Sequence, residues 1–595
     1  MYESMKDRKG TKMERLKELL AEKFGYTQFR NGQEEIIQKV LQKENVLGIM
    51  PTGGGKSICY QLPALVLEGL TLVISPLISL MKDQVDSLNE VGIPAAFINS
   101  TLSNFEMNER VKKAARGEIK LLYVAPERLE SADFRELLRY VPIELLAVDE
   151  AHCISQWGHD FRPSYLKLAE TIENFNQQPT IIALTATATP EVADDISNLL
   201  HISKENEVKT GFARENLAFQ VIKEQKDLYL LEYLKLNKGQ SGIIYASTRK
   251  EVDRLYHLLK HHDFAVGKYH GGLTGDERLQ NQEDFLFDRI EVMIATNAFG
   301  MGINKSNVRF VIHAQIPGNL ESYYQEAGRA GRDGLPSEAV LLYAPQDIQI
   351  QHYFIEQSQS EITYQQNEYT KLREMNQYAH TQLCLQRYIL HYFGEDQPDC
   401  GKCSNCLDER EQVNITTDTQ KVLSCVKRMG EKFGKALVAK VLTGSNDQKI
   451  KQWHFEQLPT YGLMKEKSQK DVSNLIDYLT AERYLVPSEG QYPVLTISDQ
   501  GISVLLGKQE VYRKQAPVKQ LVADDALFEK LRSLRSQLAQ EKNLPPYLIF
   551  SDKTLTELAE KQPQTSLDFL QIKGVGKNKL DNYGEQFLAL LKNDD

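Results

Sequence analysis

The chain has 595 residues, which is more than one hydrophobic core usually holds and predicts roughly three to five domains. Hydrophobic residues make up 41% and charged residues 26% of the chain, and the mean hydropathy is −0.42, as is typical of a globular protein without membrane spans. The net charge of −10 argues against a protein that coats nucleic acid by bulk electrostatics. Any nucleic-acid contact must therefore use local basic patches and stacking side chains.

The segment from Met1 to Arg15 is charged and has no apolar run, so it predicts no secretory signal. We therefore expect a cytoplasmic protein without membrane contacts. Seven cysteines in so long a chain do not predict a disulfide scaffold, although four of them cluster.

Aromatic, arginine and glutamine side chains precede the first helical pattern, which runs through Val40. Gln33 can hydrogen-bond both N6 and N7 of adenine, and Tyr26 and Arg30 offer flat groups that can stack on the base. An amphipathic helix with a capping turn would explain the same composition. The position roughly twenty residues before a glycine-rich loop favours adenine binding.

That glycine-rich loop lies between a predicted strand, Val46 to Met50, and a predicted helix, Ile58 to Leu67. Consecutive glycines let backbone N–H groups converge on phosphate at a helix N-terminus. Met50 stands where the pattern G-x-x-x-x-G-K-[ST] has its first glycine, and a flexible turn is the alternative. The predicted phosphate and magnesium ligands are Thr52, Gly53, Gly54, Gly55, Lys56 and Ser57, with Lys56 on the β and γ phosphates and the Ser57 hydroxyl on Mg²⁺.

Further apolar strands alternate with helical stretches, which predicts a parallel α/β sheet whose strands end at the ligand site. The strands are Leu72 to Ser75, Leu121 to Ala125, Leu145 to Val148 and Ile181 to Leu184. At the end of the third, Asp149 can hold Mg²⁺ through water and Glu150 can orient the attacking water, with His152 in the same catalytic motif. An isolated Asp-Glu pair would usually be a solvated strand end.

An aromatic loop from Ser155 to Phe161 follows these carboxylates. Trp157 and Phe161, together with Arg162, can stack on single-stranded bases and transmit their presence to the nucleotide. The alternative is a small hydrophobic plug that only packs beneath the site.

A second α/β unit has strands at Gly242 to Tyr245, Val292 to Ala295, Phe310 to His313 and Ala339 to Tyr343. It lacks a phosphate loop and carries a glycine-rich segment instead. In that segment Arg329 and Arg332 could reach across a cleft to the γ phosphate, and Gln325 lies just upstream. Arginines in such a loop can also be merely solvated.

The order of the motifs MPTGGGKS, DEAH, AHCISQWGHDFRP, ALTATAT, ATNAFGMGINK and QEAGRAGRDG resembles that of the RecQ family of superfamily 2 DNA helicases. The resemblance covers almost the whole chain, and the aromatic loop is its most specific element. It implies two RecA-like lobes, ATP and Mg²⁺ as cofactors, and 3′-to-5′ translocation on single-stranded and forked duplex DNA in recombination and repair. It also implies contacts with single-stranded-DNA-binding protein and other repair proteins at the nucleoid.

Four cysteines after the second unit predict a metal site. The run of Cys400, Cys403 and Cys406 brings three thiols together, and Cys384, expected on a helix, can supply the fourth. Four thiolates suit a structural Zn²⁺ ion, whereas an iron–sulfur cluster accepts the same short run. The fourth cysteine and the family resemblance favour zinc.

Residues Val413 to about Pro517 suggest a winged helix that grips duplex backbone. Lys467 to Tyr484 reads as its recognition helix and Leu485 to Ile497 as a hairpin, with Tyr492 at the tip. A helical packing domain is the alternative.

The last segment is a compact helical unit that resembles the HRDC domain. Lys573 and Lys577 flank glycines that would admit a phosphate backbone between helices. Any DNA contact there must be local and weak.

The fold prediction is α/β, with two RecA-like lobes, a zinc-binding helical module, a winged helix and a small all-α HRDC domain. The corresponding boundaries are 1–210, 211–345, 346–411, 412–517 and 525–595. Two rivals to a DNA helicase stay open, namely an RNA-remodelling ATPase and a non-catalytic DNA-binding scaffold. Intact Lys56, Glu150 and Arg332 argue against the scaffold.

Overall fold

The computed structural model describes residues 2–99, 102–158, 160–223, 225–300, 305–358, 361–488, 490–514, 526–542, 549–550, 552–572 and 575–592. Two parallel sheets, each covered by helices on both faces, form the first two lobes. Within the described ranges, no helix has the length and apolar character that a membrane span requires.

Lobe 1 is built on a seven-stranded parallel sheet in the order β3-β4-β2-β5-β6-β1-β7. Its strands are β1 Val46–Ile49, β2 Leu70–Ile74, β3 Ala95–Ile98, β4 Leu121–Val124, β5 Ile143–Val148, β6 Thr180–Thr185 and β7 Glu207–Lys209. Its helices are α1 Tyr2–Phe24, α2 Gln33–Leu41, α3 Ile58–Ala64, α4 Ile78–Glu90, α5 Asn104–Ala115, α6 Ala132–Leu138, α7 Leu166–Glu173 and α8 Pro190–Leu199. Alternate residues of β1 enter two different cores, because helices cover both faces of the sheet.

Lobe 2 repeats this plan with six parallel strands in the order β10-β11-β9-β12-β13-β8. The strands are β8 Leu217–Ile222, β9 Gly242–Tyr245, β10 Val266–Tyr269, β11 Val292–Ala295, β12 Phe310–His313 and β13 Ser337–Leu342. The helices are α9 Lys226–Leu236, α10 Arg249–His261, α11 Gly275–Leu286 and α12 Leu320–Ala327. The carboxyl end of the lobe 1 sheet carries the phosphate loop and the candidate carboxylates, whereas the candidate arginines of lobe 2 follow α12.

The predicted α/β class with two parallel-sheet lobes is confirmed. All strands named in the sequence analysis form, with ends shifted by at most two residues. Two local predictions were wrong. Helix α3 ends at Ala64 and not at Leu67, because the next N–H groups, those of Leu65 and Val66, bond carbonyls three residues back as the chain turns toward β2. Cys384 caps the following helix and does not lie within it.

Three helices pack on lobe 2 and share its core: α13 Pro345–Gln357, α14 Ile362–His380 and α15 Leu385–Tyr392. A separate core organises the next module, with α16 Thr416–Arg428, α17 Lys435–Leu442, α18 Gln448–Gln452, α19 Gln469–Ala481 and α20 Asp499–Leu505. Two antiparallel pairs join it: β14 Gln412–Asn414 with β17 Tyr512–Lys514, and β15 Leu485–Pro487 with β16 Leu495–Ile497. Helix α19 and the hairpin β15–β16 occupy the stretches predicted for a recognition helix and a wing.

The last helical unit contains helices Ala526–Lys542, Asp552–Lys561, Ser566–Phe569, Lys577–Lys579 and Glu585–Lys592 around its own core. Arg532 of this unit lies 3.3 Å from Glu232 on α9, and Leu236 of the same helix packs against the core of the unit. The unit therefore rests on lobe 2.

Candidate nucleotide and nucleic-acid site

The glycine-rich loop follows β1 and leads into α3. Gly53 and Gly55 have φ angles of 85° and 78°, which lie in the left-handed region where glycine is favoured. The Gly54 N–H donates to the carbonyl of Pro51 at 2.9 Å and closes the turn. Lys56 and Ser57 follow half-buried, and Ser57 is the residue before α3. The backbone thus takes the strand–loop–helix form that the sequence predicted for phosphate binding.

The predicted adenine residues lie against this loop. Gln33 is buried, accepts a hydrogen bond from the Arg30 N–H at 2.8 Å and donates from Nε2 to the carbonyls of Gly54 and Gly55 at 3.2 and 2.9 Å. The Arg30 guanidinium donates to the Gly53 carbonyl and stands 6.0 Å from the centroid of the half-exposed Tyr26 ring. Adenine binding would require Gln33 to exchange these bonds, so its role stays a prediction.

Two carboxylates meet at the end of β5, close to Lys56. Burial, with a contribution from Glu150, raises the pKa of Asp149 to about 7, and Lys56 acts in the opposite direction. The Glu150 N–H donates to Asp149 Oδ1 at 3.0 Å, and Glu150 Oε2 is buried without a hydrogen-bond partner. A divalent cation would relieve this crowding of buried negative charge, so Asp149 and the Ser57 hydroxyl fit a Mg²⁺ site.

His152 connects the carboxylates to the neighbouring strand. It lies in a short 3₁₀-helix, Ala151–Ile154, and its Nδ1 is 3.0 Å from Thr185 Oγ1 at the end of β6. The same nitrogen is 3.4 Å from Glu150 Oε2. The buried imidazole therefore fixes the turn that carries Glu150.

One of the two candidate arginines of lobe 2, Arg332, reaches the phosphate loop of lobe 1. Arg332 lies over Gly53, where an added Cβ would be 3.7 Å from Arg332 Cγ. Burial and the neighbouring Arg329 lower the pKa of Arg332 to about 9. Arg329 is buried beside Gly300, and an added Cβ there would be 2.8 Å from its Nη2. Gln325 lies half-buried on the preceding helix α12.

Two enclosed guanidinium groups close to each other favour a polyanionic ligand. The site is bipartite, since lobe 1 supplies the phosphate loop and the carboxylates and lobe 2 supplies the arginines.

The aromatic loop packs directly on the turn that carries His152. A Cβ added at Gly158 would be 2.2 Å from the carbonyl oxygen of His152. Trp157 is 53% exposed, Phe161 is half-buried and Arg162 donates to the Pro76 carbonyl at 3.0 Å. The outward-facing indole is available for stacking on a base, while the loop backbone contacts the catalytic turn.

Lys371 holds the aromatic loop from the opposite side. Its Nζ, on α14, donates to the Trp157 carbonyl at 2.6 Å and lies 3.6 Å from Glu321 Oε1 on α12. Burial raises the pKa of the adjacent Glu368 to about 7, against the influence of Lys371. The loop is thus linked to the helix that leads into Arg329.

The four predicted zinc ligands come together. The sulfur atoms of Cys384, Cys400, Cys403 and Cys406 all lie within 4.8 Å of one another. Backbone N–H groups point at three of these sulfurs: those of Arg387 and Cys400 at Cys384, that of Cys403 at Cys400, and those of Leu385 and Cys406 at Cys403. Such donors favour thiolates, so the set fits a closed tetrahedral zinc site.

The other predicted DNA contacts lie away from the nucleotide. Tyr492 on the hairpin is 84% exposed, and Arg373 of α14 donates to the Gly490 carbonyl at 2.8 Å and so fixes the hairpin tip. Lys577 is exposed at the start of a short helix. Lys573 lies outside the described residues.

The sequence analysis missed two cations that contact this site, Lys371 and Arg214. Lys371 occurs in an ordinary polar helix pattern, and Arg214 lies in a linker without a recognisable motif. Both bind backbone carbonyls, and such contacts leave no pattern in the sequence.

Five protein families match consecutive parts of the chain. They are the DEAD/DEAH box helicase family over residues 30–196, the helicase conserved C-terminal domain over 225–334, the RecQ zinc-binding domain over 345–407, the RQC domain over 409–521 and the HRDC domain over 524–591.

Three curated relatives match over more than 90% of their own length. The ATP-dependent DNA helicase RecQ of Bacillus subtilis (strain 168) is 53% identical over 580 residues, which are 97% of this chain and 98% of the relative. The protein of the same name from Haemophilus influenzae is 41% identical over 96% of this chain and 94% of its own. A putative ATP-dependent RNA helicase of Acanthamoeba polyphaga mimivirus is 34% identical over 82% of this chain and 92% of its own. With these domains in this order and this degree of identity, the chain belongs to the RecQ helicase family.

Proposed function

We propose that this protein is an ATP-dependent 3′-to-5′ DNA helicase that couples ATP hydrolysis to translocation on single-stranded DNA and to duplex unwinding. The observation that carries the proposal is the contact of Arg332, from lobe 2, with Gly53 in the phosphate loop of lobe 1. A nucleotide between them would hold the lobes together, and its hydrolysis would release them. The likeness to proteins named ATP-dependent DNA helicase RecQ supports DNA as the substrate.

Each side chain has a distinct role in hydrolysis. Lys56 and the loop N–H groups bind the β and γ phosphates, and Arg329 and Arg332 stabilise the charge that develops in the transition state. Glu150, whose Oε2 is buried without a hydrogen-bond partner, orients the attacking water. Ser57 and Asp149 would hold Mg²⁺, which would supply positive charge to neutralise the phosphates.

The base of ATP is held by the segment before α2. Tyr26 and Arg30 stack on adenine, and Gln33 hydrogen-bonds its edge. Because Gln33 also bonds the carbonyls of Gly54 and Gly55, adenine binding changes the phosphate loop at the same time.

DNA is sensed by Trp157 and Phe161. Stacking of a base on Trp157 moves a loop whose Gly158 touches the His152 carbonyl, and His152 fixes the turn of Glu150. The exposure of Trp157 supports this role over that of a hydrophobic plug, because a plug would be buried.

The C-terminal modules hold the duplex. Tyr492 on the exposed hairpin separates the strands, and α19 and Lys577 contact the backbone. We place the functional boundaries at 1–210, 211–345, 346–411, 412–517 and 525–595, and the five family matches support this division. Forked DNA, single-stranded-DNA-binding protein and repair proteins at the nucleoid are the proposed partners, in recombination and repair.

RNA remodelling is the second candidate, because one relative is named a putative RNA helicase. ATP hydrolysis measured with single-stranded DNA and with RNA of the same sequence separates the two. We expect the DNA to stimulate at least tenfold more strongly than the RNA, and the reverse order would replace DNA by RNA as the substrate.

Unwinding of 3′-tailed, 5′-tailed and forked duplexes, with Lys56→Ala as the inactive control, tests direction. We expect 3′-tailed and forked substrates to be unwound and the 5′-tailed duplex to stay intact. Unwinding of the 5′-tailed duplex alone would reverse the polarity. Absence of any hydrolysis in the native chain would leave only the DNA-binding scaffold.

A further inference from the structure

The linker between β7 and β8 carries an arginine that bonds both lobes at once. Arg214 Nη1 donates to the Thr52 carbonyl at 3.2 Å, in the phosphate loop, and to the Gly328 carbonyl at 3.3 Å. Its Nη2 donates to the carbonyls of Ala330 and Gly331 at 2.9 and 3.1 Å. One planar guanidinium therefore spans the phosphate loop and the segment 328–332, which we call the arginine loop.

The side chain of Arg214 is held by hydrogen bonds to neutral oxygen atoms. Its hydrogen bonds go to four carbonyls and, at 3.4 Å, to Asn216 Oδ1, and burial lowers its pKa. Asn216 extends the bridge, since its Nδ2 donates to the carbonyls of Gly331 and Leu335 at 2.8 and 2.9 Å. Only the forked donor geometry of arginine reaches acceptors in both lobes, and a lysine ammonium cannot reproduce it.

The zinc-binding module fixes the linker from which Arg214 projects. Lys402, between two of the zinc ligands, donates to the carbonyl of Arg214 at 2.7 Å. Glu395 accepts the Phe212 N–H at 3.1 Å, and the Phe212 ring stacks on Phe393 with centroids 4.5 Å apart. The backbone of the linker is thus held on one side while its guanidinium reaches into the interface between the lobes.

We propose that Arg214 is a positioning residue that sets the arginine loop against the phosphate loop, braced by Lys402 of the zinc-binding module. This inference rests on the proposed function, because it assigns Arg214 an effect through Arg329 and Arg332. Arg329 lies between the carbonyls of Gly328 and Ala330, which accept hydrogen bonds from Arg214, and Arg332 follows the carbonyl of Gly331. Loss of the bridge therefore moves the guanidinium groups relative to the γ phosphate without removing a contact to ATP itself.

The first test is steady-state ATP hydrolysis in saturating single-stranded DNA. We expect Arg214→Ala to lower kcat roughly 10- to 100-fold, as misplacement of a catalytic group by about 1 Å does, and to change KM for ATP less than about threefold. Arg214→Lys should recover only a small part of kcat, because it keeps the charge but loses the fork. The matched control is Arg254→Ala on α10, an exposed arginine paired with Asp227 and Glu251, which should leave both constants unchanged.

A double-mutant cycle with Arg332→Ala distinguishes positioning from general destabilisation. If Arg214 acts through the arginine loop, adding Arg214→Ala to Arg332→Ala should lower kcat by a clearly smaller factor than Arg214→Ala does alone, because only the effect through Arg329 remains. A full multiplicative loss in the double variant would overturn the proposal, as would a wild-type kcat in Arg214→Ala. If Arg214→Ala does not fold, the same cycle run with Arg214→Lys decides.

The bracing role has its own measurement. Lys402→Met should lower kcat, as Arg214→Lys does. Its zinc content and melting temperature should stay near those of the native chain. Normal kcat in that variant would overturn the part played by Lys402. Failure of the native chain to hydrolyse ATP would refute the proposed function, whereas a native chain that is active and sensitive to Arg332→Ala but insensitive to Arg214→Ala refutes only this inference.

Discussion

Gly158→Ala is the sharpest single change that the structure offers for separating DNA sensing from hydrolysis. A Cβ at this position would lie 2.2 Å from the His152 carbonyl oxygen and 3.0 Å from that of Ser155. Both atoms belong to the backbone, so neither can rotate away as a flexible side chain would. The φ angle of Gly158 is not in the left-handed region, so the contact alone, and not intrinsic backbone strain, opposes alanine.

The size of the effect follows from the difference between this contact distance and an ordinary contact distance of a Cβ atom. Ordinary contacts to a Cβ begin near 3.4 Å, so the loop must withdraw from the His152 turn by about 1 Å, at a cost of roughly 1–3 kcal/mol. Stacking of one base on an aromatic side chain contributes about 1–3 kcal/mol, so the two effects are comparable. A loop already displaced by alanine no longer transmits the movement of the base to the His152 turn, and stimulation by DNA should fall about tenfold.

The assay is ATP hydrolysis with and without single-stranded DNA, with Gly275→Ala as the matched control. Gly275 begins α11, and a Cβ there meets nothing within 4 Å, so this variant changes the same atoms without a clash. We expect basal hydrolysis within about threefold of the native rate in both variants. Retention of full DNA stimulation by Gly158→Ala would refute the argument that the loop signals through the His152 turn.

Four further changes test other parts of the site. Lys56→Ala should lower hydrolysis by at least roughly 100-fold while the DNA dissociation constant stays within about threefold, because Lys56 stabilises phosphate charge and has no predicted DNA contact; parallel loss of DNA affinity would contradict this. Cys403→Ala should lose the single zinc ion and melt at a markedly lower temperature, as metal analysis and calorimetry would show, and iron in place of zinc would reverse the assignment. The double change Trp157→Ala, Phe161→Ala should remove most DNA stimulation and all unwinding at nearly unchanged stability, whereas a large loss of stability with normal stimulation per folded molecule would favour a plug. Glu368→Gln should raise the free energy of unfolding by up to roughly 3 kcal/mol at pH 8 but not below pH 4.5, because burial raises the pKa of Glu368 from 4.5 to about 7 and the folded state loses stability as the pH rises between these values; equal effects at both pH values in chemical denaturation would contradict it.

Within the two lobes, the strands that the sequence analysis missed share one position in the fold. They are β3, β7, β8 and β10, and each of them is an edge strand of its sheet. Central strands of a parallel sheet are buried on both faces and contain continuous apolar runs, as residues 145–148 of β5 and the strand β9 do. Edge strands are partly exposed, so β7 has the pattern Glu-Val-Lys and β10 ends in Lys268 and Tyr269. Such short mixed segments cannot be told from loops by periodicity.

The residues of the candidate site also fall into two groups, those that could be predicted from the sequence and those that could not. Lys56, Glu150 and Arg332 could be named from the sequence because phosphate chemistry demands these residue types at a strand end or in a glycine-rich loop. Arg214 and Lys371 could not, because they bind backbone carbonyls, and any segment of the chain presents carbonyls. Residues whose type is set by local chemistry can therefore be predicted from the sequence, whereas contacts between distant segments can be identified only from the three-dimensional structure.

The aromatic loop illustrates why those joining contacts matter, because it contacts a turn of lobe 1 and also Lys371 on α14, a helix that packs on lobe 2. On the side of lobe 1, Gly158 packs against the carbonyl of His152, whose Nδ1 lies 3.4 Å from Glu150 Oε2. On the other side, the carbonyl of Trp157 accepts a hydrogen bond from Lys371. The two contacts belong to adjacent residues, so a base that moves Trp157 changes both.

The second contact leads toward the arginines. Lys371 lies 3.6 Å from Glu321 near the start of α12, and α12 ends at Ala327, two residues before Arg329. Lys371 is buried, and an ammonium group without a partner there would be costly. If the Trp157 carbonyl is released, Lys371 therefore depends more strongly on its interaction with Glu321. If a base moves Trp157 as proposed, the movement reaches Glu150 through Gly158 and reaches Arg329 and Arg332 through Lys371. It follows that Gly158→Ala and Lys371→Met should each remove part of the stimulation, and that only their combination should reduce hydrolysis in the presence of DNA to the basal rate.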